Sequence, residues 1–262
     1  MRTKRAFTLI ELLVVVAIIG LLLAILLPSL NSARRQAKAV ACLGNVRSME
    51  LAHWIYMSEN NGYFVNVGLA HGGFVGDESV AWINTLQKCY GNVLLARSPL
   101  DRSPHWGPYP AGEPVPGVAP DVRRRTSYGV NNFLTDVNLN GLNPYGPPPP
   151  GVSPLDWPGG DGKAYVRLEH VKRPAVTIHF VPMAYKGSYA ASDHPHVEEW
   201  VEHPAPPLKA FEQVQINAVR GASPNWDAVS NYGFLDGHAA ALRFSETLTS
   251  IQKNLFDPRV AF

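Results

Sequence analysis

Cysteine is nearly absent: Cys42 and Cys89 are the only thiols in 262 residues. Two thiols cannot by themselves build a four-ligand zinc site or a disulfide framework. In an oxidising compartment they suffice for one bridge between Cys42 and Cys89; otherwise they are two independent, partly buried thiols. Charge is also scarce. Charged residues make up 17% of the chain and the formal net charge is +2, without the basic stripe that marks a nucleic-acid binder. No P-loop, nucleophile elbow or dinucleotide-binding glycine pattern occurs. There is a single long apolar run, so the 46% hydrophobic content serves a packed core rather than many membrane spans. Proline and glycine, by contrast, are plentiful at 23 and 22 residues. They lie mostly mid-chain and imply long, irregular connections there.

The apolar run sits near the N-terminus. Met1-Arg2-Thr3-Lys4-Arg5-Ala6 is a short basic leader, and Phe7 to Leu30 then provides 24 residues, enough for a helix to cross a hydrocarbon core. A secretory signal peptide also has a basic start and an apolar stretch. Here the run is too long for one, and no small-x-small cleavage site follows it. Glu11 is the anomaly, because a carboxylate inside a membrane segment costs about 2.5–3.5 kcal/mol on insertion scales. It either lies near the membrane surface and reaches water or has a purpose. The cations Arg2, Lys4 and Arg5 before the span are balanced by Arg34, Arg35 and Lys38 after it, so the positive-inside rule leaves the orientation open.

The stretch from Ala6-Phe7-Thr8-Leu9-Ile10-Glu11 to Ile18-Ile19-Gly20 resembles the prepilin cleavage and methylation motif over nearly its whole length. The resemblance implies a type IV pilin-like or type II secretion pseudopilin-like precursor. A membrane-embedded prepilin peptidase would cut between Ala6 and Phe7 and methylate the new Phe7 amine. The family usually has Gly before the cut, where this chain has Ala6. The leader would then lie in the cytoplasm, with a single pass through the inner membrane and the body in the periplasm or an extracellular filament. Physics supports such a use of Glu11: the Phe7 amine of one subunit can neutralise the Glu11 carboxylate of its neighbour, since a buried charge left unpaired is heavily penalised. Such a pair sets register, as single buried polar groups do in coiled coils.

Gly20 weakens a helix and Pro28 breaks or kinks one. Gly20 to Pro28 is thus either a stretch that unwinds during assembly or a plain kink at the membrane exit. Beyond it Ala33, Ala37, Val40, Gly44, Leu51 and Ile55 fall on one face at 100° per residue, with Arg35, Lys38, Asn45 and His53 roughly opposite. This predicts an amphipathic helix over 31–59 whose apolar side docks on a body, stopped by Asn60-Asn61-Gly62. Helix from Phe7 to Glu59 would reach about 80 Å. The expected division is a leader at 1–6, an assembly helix at 7–30, the amphipathic continuation at 31–59 and a globular domain at 60–262.

In the body, Tyr63-Phe64-Val65, Ala164 to His170, Ala175 to Val181 and Gln213 to Val219 read as strands, and Val80 to Leu86 as a short helix. Asp236-Gly237 between two apolar runs is a strong hairpin signal. The expected fold is α+β and pilin-like: a long N-terminal helix packed on a small antiparallel sheet, with long Pro/Gly-rich loops. Scattered blocks are similar to a processing-associated prepilin family named for a histidine, nine residues and Asp-Gly. They are Cys42 to Arg47, Asn60 to Phe64, Ser127 to Asn131, Arg173 to Ile178 and Phe234 to His238. Trp226 stands where that family has its histidine, and Ser98-Pro99 replaces its second Cys-Pro.

Two groups carry metal-ligating residue types. Asp136, Asn138 and Asn140, followed by Gly141, open like a calcium loop, but Pro147 stands at the position of the closing Glu; the other reading is an Asn/Asp/Gly turn. His194, His196, Glu198, Glu199 and His203 would serve a membrane-tethered zinc hydrolase, yet His194 and His196 flank a proline and read as solvated loop residues. The favoured class is a non-enzymatic structural subunit of a pilus or secretion pseudopilus. It needs no cofactor, with calcium the one candidate. Its partners are prepilin peptidase, copies of itself or other pilins, and the membrane. The competing class is a minor tip subunit that binds a surface or cargo through Trp106, Tyr109, Tyr145 and Trp157 in the Pro-rich loops. Those aromatics serve equally as covers for a small sheet.

Overall fold

The computed structural model describes residues 9–69, 77–90, 96–107, 112–135, 149–153, 165–201 and 203–261. The chain divides into two compact units, Met1–Lys38 and Ala39–Phe262. One helix, α1 (Leu9–Glu59), contributes to both and continues through Pro28. Every described side chain from Leu9 to Lys38 is exposed. Burial begins at Cys42 and continues through Val46, Met49, Glu50, His53 and Met57, spaced at three and four residues as one helical face requires.

That face is not the one expected. Val40, Leu51 and Ile55 are 66, 62 and 40% exposed, whereas Glu50 and His53 point inward at 0%. The expectation ranked positions by apolarity. The helix is turned so that two polar side chains meet polar partners from distant parts of the chain. The stop is as read: Gly62 N–H donates to Met57 O at 2.8 Å, with Asn61 at φ 53° and Gly62 at φ 78°, the left-handed exit that Asn and Gly tolerate.

The body is a set of short elements. Helices α2 (Trp82–Thr85) and α3 (Gln87–Tyr90) follow the stop; the short helix expected at Val80 to Leu86 is realised as a 3-10 turn at Glu78–Val80 running into α2. Strand β1 (Tyr128–Val130) pairs antiparallel with β2 (Phe180–Pro182), Gly129 opposite Val181. Helices α4 (Glu198–Val201) and α5 (Pro206–Gln213) precede β3 (Val229–Gly233) and β4 (Ala239–Arg243), which pair with Asn231 opposite Ala241. Helix α6 (Phe244–Thr247) and the small ladder of β5 (Leu248–Ser250) with β6 (Lys253–Asn254) complete the order. The Asp-Gly hairpin forms as expected. Phe234 N–H donates to His238 O at 3.0 Å and Gly237 N–H to Phe234 O at 2.9 Å, with Gly237 at φ 96°, the positive φ that closes a three-residue hairpin loop.

Other segments read as strands take other forms. Leu168–His170 and Pro174–Val176 are 3-10 turns, and Gln213 ends α5, whose first two residues are Pro206 and Pro207. Proline is well suited to a helix start; beyond the helix, up to Val219, only Val214 pairs among the described residues, in an isolated antiparallel bridge with Met183. The antiparallel sheet is assembled from two-stranded ladders joined by the stretch before β2. His179 N–H donates to Gly233 O, and His179 O accepts from Asn131 N–H, both at 2.8 Å.

Two apolar clusters hold the body. One joins Cys42, Val46 and Met49 of α1 to Val65, Trp82, Tyr128 and Phe180. The other centres on Trp200, Tyr232, Phe244 and Phe256, with the Trp200 and Phe256 rings 5.2 Å apart, edge to face. A buried ion pair ties the connections together. Arg124 Nε donates to Asp101 Oδ2 at 2.7 Å, and its terminal nitrogens donate to the carbonyls of Ala184, Ala190 and Met183 at 2.7, 2.6 and 3.1 Å. Both side chains are fully buried. Arg124→Met removes one partner of that pair and leaves a carboxylate and three carbonyls without their donors. The expected loss is about 3–5 kcal/mol, measured by denaturant unfolding of the two proteins in the same detergent.

Candidate functional site

From Leu9 to Leu30 the helix presents a largely apolar, exposed surface. Leu9, Ile10 and Ile25 are 80, 72 and 67% exposed, and α1 is long and apolar enough to cross a membrane by length and composition. Glu11 lies on this helix, among Leu9, Ile10, Leu12 and Leu13. Gly20 has nothing within 4 Å of where a Cβ would stand. Pro28 supplies no N–H to the preceding turn, and next to it Ser29 Oγ donates to Leu26 O at 2.8 Å. Ala6 and Phe7 lie outside the described residues, as do Asp136, Asn138 and Asn140 of the calcium-like loop and the aromatics Tyr109, Tyr145 and Trp157. Trp106 is described, with the Arg97 guanidinium 4.5 Å above its ring. The Trp226 ring lies tilted against Phe244, centroids 5.6 Å apart.

Where α1 meets the body, three polar side chains are gathered that a linear reading leaves apart. Glu50 Oε1 accepts from Phe180 N–H at 3.2 Å, and Glu50 Oε2 lies 2.9 Å from His179 Nδ1. The rings of His53 and His179 stack with centroids 4.1 Å apart. His53 Nε2 accepts from Val65 N–H at 3.4 Å. Gly233 makes room for the carboxyl: a Cβ there would overlap Glu50 Oε1 and approach Val46 Cγ1 to 2.8 Å. Two nitrogens of this group lack a hydrogen-bond partner, His53 Nδ1 and His179 Nε2. Burial raises the Glu50 carboxyl well above the usual range. Burial likewise holds His179 down to about 3, and His53 well below its ordinary value, with the neighbouring His179 adding to the effect.

The sequence held little to announce this group. Glu50 and His53 do fall in register with Val46, Met49 and Met57, and that periodicity is the one available signal. His179 carries only its apolar neighbours Ile178 and Phe180 as a sign of burial, and it is 129 residues from Glu50.

The cluster read as solvated loop is instead part of the body. His194 is 1% and Glu198 3% exposed. His194 Nδ1 lies 3.0 Å from Asp193 Oδ1, and Asp193 also accepts from Gly68 and Leu69 N–H at 2.9 and 3.1 Å. His196 Nδ1 lies 3.2 Å from Glu198 Oε1, while Asn132 Nδ2 donates to Glu198 Oε2. These groups fasten loops to one another. His203 Nδ1 caps the Ala205 backbone. Cys42 and Cys89 are both free thiols; Cys42 is buried and takes the Tyr128 hydroxyl at 3.4 Å.

The outer face of α1 is different again. Gly44, Arg47, Ser48, Leu51 and Trp54 line a cleft of about 600 Å³ closed by Asp236 and Gly237 of the hairpin loop.

The buried trio gives stability a defined pH dependence. His53 and His179 have folded-state values below the unfolded 6.5. The folded state therefore binds fewer protons, and stability is lost as pH falls from 6.5 towards 3. Glu50 acts in the opposite sense, because its raised value removes stability as pH climbs above 4.5. Thermal unfolding of the chain in detergent and chelator is expected to show an acid limb that is shallower in His179→Gln, and a loss above pH 4.5 that is reduced in Glu50→Gln.

Residues 1–27 match the family model described as the prokaryotic N-terminal methylation motif. The chain is 39% identical over 66 residues to the type IV wide pilus major component PilA4 of Thermus thermophilus, a match covering 25% of this chain and 50% of that protein. It thus spans about half the length of the curated relative it matches. No solved structure matches the chain significantly. The chain thus carries the prokaryotic N-terminal methylation motif at the head of an apolar helix that runs from Leu9 into an α+β body, and over part of its length it is similar to a type IV pilin.

Proposed function

We propose that the chain is a structural subunit of a type IV pilus, cut before Phe7 by prepilin peptidase, methylated there, and polymerised through the N-terminal part of α1. The observation that carries this reading is the coincidence of the methylation motif at 1–27 with a largely apolar helix surface that is exposed throughout Leu9 to Leu30. Burying apolar area is worth about 25 cal/mol per Å², so such a surface drives the helix first into the membrane and then against copies of itself. Likeness to a wide-pilus component supports a pilus over a secretion pseudopilus. In the assembled bundle Glu11 pairs with the Phe7 amine of a neighbouring subunit, and the leader faces the cytoplasm before cleavage.

The role assigned to the chain is mechanical and needs no cofactor. Glu11→Ala is the direct test. The variant is expected to reach the membrane at the level of the natural chain and to fall at least about tenfold in the sheared filament fraction, since loss of the pair leaves the neighbour's amine buried without a counter-charge. An unchanged sheared fraction would contradict the assembly reading.

A further inference from the structure

We propose that Glu50, His53 and His179 form a buried binding site for a first-row divalent transition-metal ion, zinc in preference, that clasps α1 to the sheet of the body. Each residue offers one ligand atom, and these atoms all lie within 4.8 Å of one another. All three residues are at 0% exposure. Two imidazoles and one carboxylate are a donor set that zinc uses, leaving one position for a water. Calcium and magnesium prefer all-oxygen surroundings and are disfavoured here.

Two features point to a ligand rather than to a self-sufficient polar cluster. His53 Nδ1 and His179 Nε2 are buried without partners, an arrangement that native interiors avoid unless something else engages the atoms. The remaining contacts are of the kind that orient ligands: Phe180 N–H holds Glu50 Oε1 at 3.2 Å, and the peptide groups of His179 are fixed on both sides by Gly233 and Asn131. A tetrahedral zinc brings its ligands to about 3.3 Å from one another. The cluster therefore closes on binding: the two rings leave their stacked arrangement, and the long Val65 N–H contact to His53 Nε2 at 3.4 Å is given up so that the ring proton can move from Nδ1 to Nε2 and free Nδ1 to ligate.

The ligands come from separate elements, Glu50 and His53 from α1 and His179 from the stretch entering β2. A bound ion thus crosslinks the helix to the sheet. Since all three side chains are enclosed, loading must accompany folding or a transient lifting of the 39–59 part of α1 from the sheet. Ion uptake by the folded chain is then slow, and uptake during refolding is fast.

The full chain in detergent, stripped of metal under denaturant, is refolded with and without zinc chloride and passed through a desalting column. The expected result is about one zinc retained per chain with a raised unfolding temperature, as selective binding to the folded state requires. Zinc retention should be lost in Glu50→Gln, His53→Gln and His179→Gln and kept in His196→Ala. Unfolding transitions of the metal-free variants establish that each folds. Cobalt in place of zinc should give the visible absorption of a tetrahedral site, absent from His179→Gln. Failure of the folded natural chain to retain zinc would overturn the proposal. So would retention that survives in folded Glu50→Gln and His179→Gln.

Discussion

A helix surface without an apolar partner is the constraint on which everything else depends. From Leu9 to Lys38 no described side chain is buried, and most of that length is Leu, Ile, Val and Ala. Water is a poor surrounding for such a surface, and the 39–261 body has its own cores to fill. The helix must be covered by lipid or by other chains. The body, in turn, has to hold its own part of α1 firmly enough that the rest can be exchanged between those surroundings.

The hold is partly polar. Cys42, Val46, Met49 and Met57 supply apolar contact, but Glu50 decides which way the helix faces. Its two oxygens are used by Phe180 N–H and His179 Nδ1. A rotation of α1 that hid Leu51 instead would strand those groups in an interior where an unpaired polar atom costs about 1–3 kcal/mol. The apolar core alone would tolerate several helix orientations, and the carboxyl selects one. The outer residues Val40, Leu51 and Ile55 remain uncovered as a consequence.

Much of the architecture was legible in local chemistry. The apolar run, the Asn60-Asn61-Gly62 stop and the Asp236-Gly237 hairpin each follow from a short-range rule about burial, positive φ or turn geometry. The docking face was not legible in this way. Glu50 and His53 look like solvent-facing residues until His179 and Phe180 are brought to them by the sheet, and no local rule reports a partner more than a hundred positions away. A related limit applies to the His194 and Glu198 group, which is tied down through Asp193 to the backbone of Gly68 and Leu69 and through Glu198 to Asn132. Strands read at Ala164 to His170 and Gln213 to Val219 failed for a related reason: the residue pattern suits a strand, but among the described residues these segments make only the isolated bridges of Arg167 with Tyr63 and of Val214 with Met183.

The central claim is that this chain works as a processed helix within a polymer. Peptide mass spectrometry of filaments sheared from cells, set beside the membrane fraction, tests it most directly. The account predicts an abundant peptide in the sheared fraction that begins at Phe7 and carries a methyl group on its amine. A chain that keeps Met1 and Arg2 and stays in the membrane would contradict it.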